Sequence, residues 1–139
     1  MQIVFRNLRP DETELLKTFL YEAIYIPDGV DLMIIPGGNI KDIDSPAVWE
    51  YLNEVNDHNG IIAAICAGVD VLEHAGILDG ILSTHSAELD VAVDGNVITS
   101  RANGYVDFAV EVARKLGLFK DEQDLRETIA FWRNHQRMQ

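Results

Sequence analysis

With a single cysteine, Cys66, in 139 residues, the chain can form no intrachain disulfide, and no Cys/His spacing in it fits a structural zinc site. Any special role for Cys66 must therefore rest on thiol chemistry. Basic residues are scarce: 11 Lys and Arg stand against 23 Asp and Glu, for a formal net charge of −12. Nucleic-acid backbones and anionic membrane surfaces are sought by Lys/Arg clusters, which are missing here, so neither is expected as a partner. No apolar run approaches the roughly 20 residues of a membrane span. Nor does the opening segment join a basic start, an apolar stretch and a small-residue cleavage site. A soluble, cytoplasmic chain is expected. Repeats, low-complexity stretches and linkers are absent too. A composition of 47% hydrophobic and 24% charged residues then fits one globular domain over residues 1–139.

What is present alternates between strand and helix patterns. The run "QIVF" at 2–5 suits a strand, and in "DETELLKTFLYEAI" Leu15, Leu16, Phe19, Leu20 and Ala23 recur at helical spacing. The continuous apolar run of "VDLMIIPGG" reads as a strand buried on both faces and ended by Pro36, Gly37 and Gly38. Ser45 and Pro46 provide an N-cap and a first helical residue for "AVWEYLNEVNDHNG", with Gly60 as its stop. A strand "IIAAI" and a helix "AGVDVLEHAG" follow, then a short strand before His85. "VAV" and "VITS" flank Asp94-Gly95, a type I′ hairpin signal. A helix in "GYVDFAVEVARKLGL" carries Val106, Ala109, Val110, Val112 and Ala113 on one side, and residues 121–138 predict a last amphipathic helix. The pattern predicts an α/β domain, with helices on both faces of a mostly parallel sheet and one antiparallel hairpin.

In such folds reactive groups gather at the carboxyl ends of the strands, and Cys66 follows "IIAAI". A strand-to-helix turn there exposes the thiol, favours the thiolate at a helix start and needs small neighbours, which Ala64, Ala67 and Gly68 are. The amides of the Gly37-Gly38 loop can complete an oxyanion hole beside it. Set against this, a lone cysteine is most often a small buried hydrophobe, and Pro-Gly-Gly can merely end a strand. His58, His74 and His135 read as surface residues. Trp49, Tyr51, Phe131 and Trp132 read as core or interface rather than a substrate cage.

Taken in order, "DLMIIPGGN", "AAICAGVDVLEHAGILDG" and "VAVDGNVITSRANGYVDFAVEVARKLG" resemble the DJ-1/PfpI family of the class I glutamine amidotransferase-like superfamily. The resemblance covers roughly residues 30 to 118. It implies a flavodoxin-like three-layer sandwich, with Cys66 as the nucleophile-elbow cysteine and the Gly38 and Ala67 amides as oxyanion donors. The form "CAGVDVL" and the ending "LRETIAFWRNHQ" are similar to a bacterial branch grouped with intracellular peptidases. Family members carry an acid after the first strand that touches the cysteine, and here only Glu12 or Glu14 can take that place, Glu14 being preferred. His85 is the candidate base, although a polar loop residue is an equal reading. Part of the usual family sheet is missing, because only one helix and a turn separate that acid from the Pro-Gly-Gly strand.

Residues 1–29 resemble instead the opening strand and helix of GNAT acetyltransferases, without the Gly-rich loop that holds coenzyme A. Two origins stay open, one domain throughout or a fusion of two families' fragments. Two functions stay open as well. One is a Cys-dependent hydrolase, amidase, peptidase or glyoxalase-type enzyme acting on a small carbonyl or amide compound. The other is a non-catalytic or redox-sensitive domain whose cysteine oxidises. No cofactor or metal is expected in either case. A homodimer is expected, because a missing strand and helix expose a sheet edge and the family members are often dimers.

Overall fold

A computed structural model describes residues 31–137, so the strand and helix expected within 1–29, with Glu12 and Glu14, lie outside the described residues. The described chain runs β1 (Leu32–Ile35), α1 (Pro46–Asp57), β2 (Ile61–Ile65), α2 (Gly68–His74), β3 (Val91–Asp94), β4 (Val97–Ser100), a 3-10 turn (Ala102–Gly104), α3 (Tyr105–Lys115) and α4 (Glu122–Trp132). Its sheet has the order β1-β2-β4-β3. β1 pairs parallel to β2, with Ile34 opposite Ala63, and β2 pairs parallel to β4, with Ala63 opposite Ile98. β3 closes the sheet antiparallel to β4. No helix among the described residues is long and apolar enough to cross a membrane.

The period of two along β2 divides the core. Ile62 and Ala64 join Tyr51, Leu52 and Val55 of α1 and Val69, Val71 and Leu72 of α2 in one cluster. Ala63 packs with Ile98 and with Phe108 and Val112 of α3 in another. Helices therefore cover both faces of the sheet, and a strand buried on both faces reads as the unbroken apolar run that "IIAAI" is.

Several local expectations are corrected. Ser45 is the N-cap of α1, but its side chain makes no capping bond, and the chain enters the helix through Pro46. Gly60 is not the left-handed stop of α1. Asn59 is, at φ 58°, with its N–H on Asn56 O at 2.9 Å and the Gly60 N–H on Val55 O at 2.9 Å. This is the Schellman arrangement, which asparagine also tolerates. The same cap closes α2 at Gly76 and α3 at Gly117. Asp94 pairs with Val97 inside the hairpin, so the turn residues are Gly95 and Asn96. Only Gly95 has a positive φ, the pattern of a type II′ turn rather than type I′. No strand forms before His85, since residues 81–84 are irregular. The predicted stripe on α3 is its buried face only in part: Val110 and Val112 are buried together with Phe108, which lies outside the stripe, whereas Val106, Ala109 and Ala113 line a groove shared with Phe119, Thr128 and Trp132. α4 ends at Trp132, short of residue 138, after a start at Asp121 whose carboxylate accepts the Asp124 N–H. Of the aromatics, Tyr51 is in the core and Trp49 packs on it, while Phe131 and Trp132 are exposed.

One surface contact ties the loop before α1 to the end of α2. Trp49 Nε1 donates to Asp44 Oδ1 at 2.8 Å, and His74 Nδ1 lies 2.8 Å from Asp44 Oδ2. Burial tends to raise the Asp44 pKa, but the bonds to Trp49 and His74 and the charge of His74 outweigh it and hold this carboxyl below its ordinary value. The folded state therefore resists its protonation. Asp44 stabilises the fold above the unfolded carboxylate pKa of about 3.9, and that contribution is lost as pH falls through the lowered folded value. Urea melts over the acid range should show a shallower loss of stability in Asp44→Asn than in the parent; superimposable acid limbs would contradict this.

Candidate active site

Because β1 and β2 are parallel, their carboxyl ends lie side by side, with Ile35 opposite Ala64. The chain leaves β1 through Pro36, Gly37 and Gly38 and leaves β2 through Cys66. The Cys66 N–H still continues the sheet, donating to Ser100 O at 2.9 Å, while its carbonyl already accepts the Val69 N–H at 3.1 Å. One residue thus ends a strand and opens a helical turn, and it does so at φ 56°. That region costs an L-residue roughly 1–2 kcal/mol. The Cys66 side chain is exposed rather than packed in the core.

Two glycines make room for this turn. A methyl group on Gly37 would lie 2.7 Å from Cys66 Cβ and 3.3 Å from its Sγ, so the loop after β1 passes directly against the cysteine. A methyl group on Gly68 would lie 2.4 Å from Ile35 O and 2.8 Å from Pro36 O. The start of α2 therefore presses on the backbone that leads out of β1. Gly38 stands at φ 109°. Among the described residues, the Gly38 and Ala67 amides donate to no acceptor. Cys66 and the Gly37 backbone therefore meet at the ends of β1 and β2.

His85 stands elsewhere in its bonding. Its Nδ1 lies 3.0 Å from Glu73 Oε2 and its Nε2 lies 3.4 Å from Asp70 Oδ1, so both ring nitrogens face carboxylates of α2 and neither is bonded to Cys66. Asp70 and Glu73 were not singled out from the sequence, although their three-residue spacing on a helix that starts beside Cys66 is a readable signal. The loop carrying His85 is pinned from below. Thr84 N–H donates to Thr99 Oγ1 of β4 at 3.0 Å, and His85 N–H donates to Ser83 Oγ at 3.2 Å. Of the other histidines, His58 caps α1, His74 holds Asp44, and His135 is exposed.

Residues 17–115 match the DJ-1/PfpI family, a span that begins inside the GNAT-like segment and leaves Glu12 and Glu14 outside it. The zebrafish (Danio rerio) Parkinson disease protein 7 homolog is 36% identical, the match covering 62% of this chain and 56% of that protein. Protein DJ-1alpha of Drosophila melanogaster is 33% identical over 71% of this chain and 54% of its own. The chain thus spans about half the length of the curated relatives it matches. Among solved structures, Drosophila melanogaster DJ-1beta superposes with a TM-score of 0.64 at 26% identity, covering 79% of this chain and 66% of that one. The thiJ/pfpI family protein from Bacillus anthracis reaches a TM-score of 0.71 at 20% identity, covering 82% and 63% of the two chains, and supports the flavodoxin-like fold alone.

Proposed function

The chain belongs to the DJ-1/PfpI family, and from that premise we propose that Cys66 is a nucleophile toward small carbonyl or amide compounds. The observation that carries this reading is the exposed cysteine at φ 56° on the strand-to-helix turn, against the Gly37 loop. A thiolate adds to the carbonyl carbon, a C–S bond forms, and the displaced electron pair collects on oxygen. The Gly38 and Ala67 N–H groups are the donors assigned to that oxyanion. With an amide, the amine leaves with a proton, and water then hydrolyses the thioester. Glu14 is assigned as the acid beside the thiol. His85 takes no part in this reading, because its nitrogens are engaged by Glu73 and Asp70. The GNAT-like resemblance of residues 1–29 adds no acetyl transfer. A cytoplasmic homodimer is the assembly proposed.

A second reading is favoured by the same exposure together with the engaged His85. In it Cys66 performs no turnover: its thiolate attacks hydrogen peroxide, an S–O bond forms as the O–O bond breaks, and sulfenic acid is left while the departing hydroxide takes a proton from solvent to become water. A screen of α-oxoaldehydes and amides separates the two. The first reading expects turnover that vanishes in Cys66→Ser; the second expects none, with peroxide-dependent loss of thiol.

The assignment of Glu14 carries its own expected result. A carboxyl touching the thiol would titrate together with it, so Glu14→Gln should displace the pH profile of Cys66 alkylation. A profile identical to the parent's, with Glu12→Gln equally silent, would remove the acid from the site.

A further inference from the structure

We propose that Asp70, Glu73 and His85 form a binding site for a divalent transition-metal ion of the zinc type. Each residue offers one ligand atom, and the three atoms lie within 4.8 Å of one another. An imidazole nitrogen with two carboxylate oxygens is a donor set that suits zinc, with metal-ligand bonds of about 2.0–2.2 Å and hence neighbouring ligands roughly 3.4 Å apart. Of the two contacts already present, that to Asp70 at 3.4 Å matches this spacing and that to Glu73 at 3.0 Å is somewhat shorter. They use different ring nitrogens, so binding requires the imidazole to turn until one nitrogen faces both carboxylates.

Charge points the same way. Asp70 and Glu73 stand side by side at i and i+3, and one imidazole compensates at most one of them. Among the described residues, neither forms an ion pair with a Lys or Arg. A cation removes the repulsion that remains. The supports are fixed as a metal site needs. α2 buries Val69, Val71 and Leu72 on its other face, and the His85 loop is held through Ser83 and Thr84, which are 1% and 7% exposed. The three side chains are themselves 32–58% exposed, which leaves a path for the ion and a fourth position for water.

The test is calorimetric titration of the untagged, chelator-treated chain with zinc chloride alone, backed by thermal melts. One site per chain with a micromolar or tighter Kd is expected. Asp70→Asn and Glu73→Gln keep shape and are exposed enough to fold like the parent, and each should weaken binding at least tenfold. His74→Gln, which alters the other His-carboxylate pair, and Cys66→Ser should stay within twofold. No binding heat and no melting shift at millimolar zinc would overturn the proposal. Binding that disappears in Cys66→Ser but survives in Glu73→Gln would overturn it equally, by giving the ion to the thiol.

Discussion

Gly68→Ala is expected to destabilise the protein by about 3 kcal/mol or more, the upper range for overpacking. The added carbon would sit 2.4 Å from Ile35 O, 2.8 Å from Pro36 O and 3.0 Å from Ile35 C. All three are backbone atoms, so no rotamer change relieves the contact. Either β1 must leave its register beside β2 or α2 must lift from Ile62 and Ala64, and both movements open the same core. Gly80→Ala is the control: nothing lies within 4 Å of its added carbon, and only its φ of 76° opposes the change. That substitution should cost only about 1–2 kcal/mol. Denaturant melts of the two variants should differ clearly, and equal midpoints would show that α2 and the β1 exit do not press on each other.

Replacing Cys66 tests the strained turn itself. Because the residue is exposed and left-handed, Cys66→Gly loses little packing and relieves the backbone, so it should gain about 1 kcal/mol. Cys66→Val places a β-branched residue where it is an outlier, and should lose about 2 kcal/mol. An exposed position that prefers glycine to cysteine and cysteine to valine is the opposite of what side-chain hydrophobicity predicts. If valine were instead the most stable of the three, the turn would not store strain, and the nucleophile reading would lose its main support. All three chains remain informative for labelling, since only the parent carries a thiol.

Positions 66 and 68 fall where local sequence and tertiary structure agree. "IIAAICAG" announces a doubly buried strand, a crowded turn and a helix within eight residues, and each step has a steric reason that is independent of the rest of the chain. The mostly parallel character of the sheet and the presence of the hairpin were legible from strand–helix alternation and the Asp-Gly signal, whereas the strand order was not. Elsewhere the pattern underdetermines the answer. In "HNG" both Asn59 and Gly60 can adopt the left-handed conformation, and the choice depends on which carbonyl ends the last hydrogen-bonded turn. In "DGN" the strand pairing of Asp94 with Val97, not the Asp-Gly dipeptide, selects the turn. α3 has two apolar neighbours, the sheet and α4, and periodicity alone does not say which stripe meets which. His85 was visible as a residue but not as a partner of Asp70 and Glu73, because that meeting needs the loop anchored on Thr99.

The place of β4 between β2 and β3 has a consequence for the route to the native state. β4 joins a strand that precedes it by some thirty residues, so its docking closes a long loop, whereas its pairing with β3 closes a two-residue turn. Closure entropy rises with loop length, and the local pairing forms on a faster timescale. The hairpin therefore assembles ahead of its docking on β2, and that docking also brings the Ser100 carbonyl to the Cys66 N–H. Native-state hydrogen exchange of the Cys66 amide should accordingly follow the amides of the β2–β4 ladder rather than those of the hairpin turn, so the reactive corner is set only when the hairpin docks on β2.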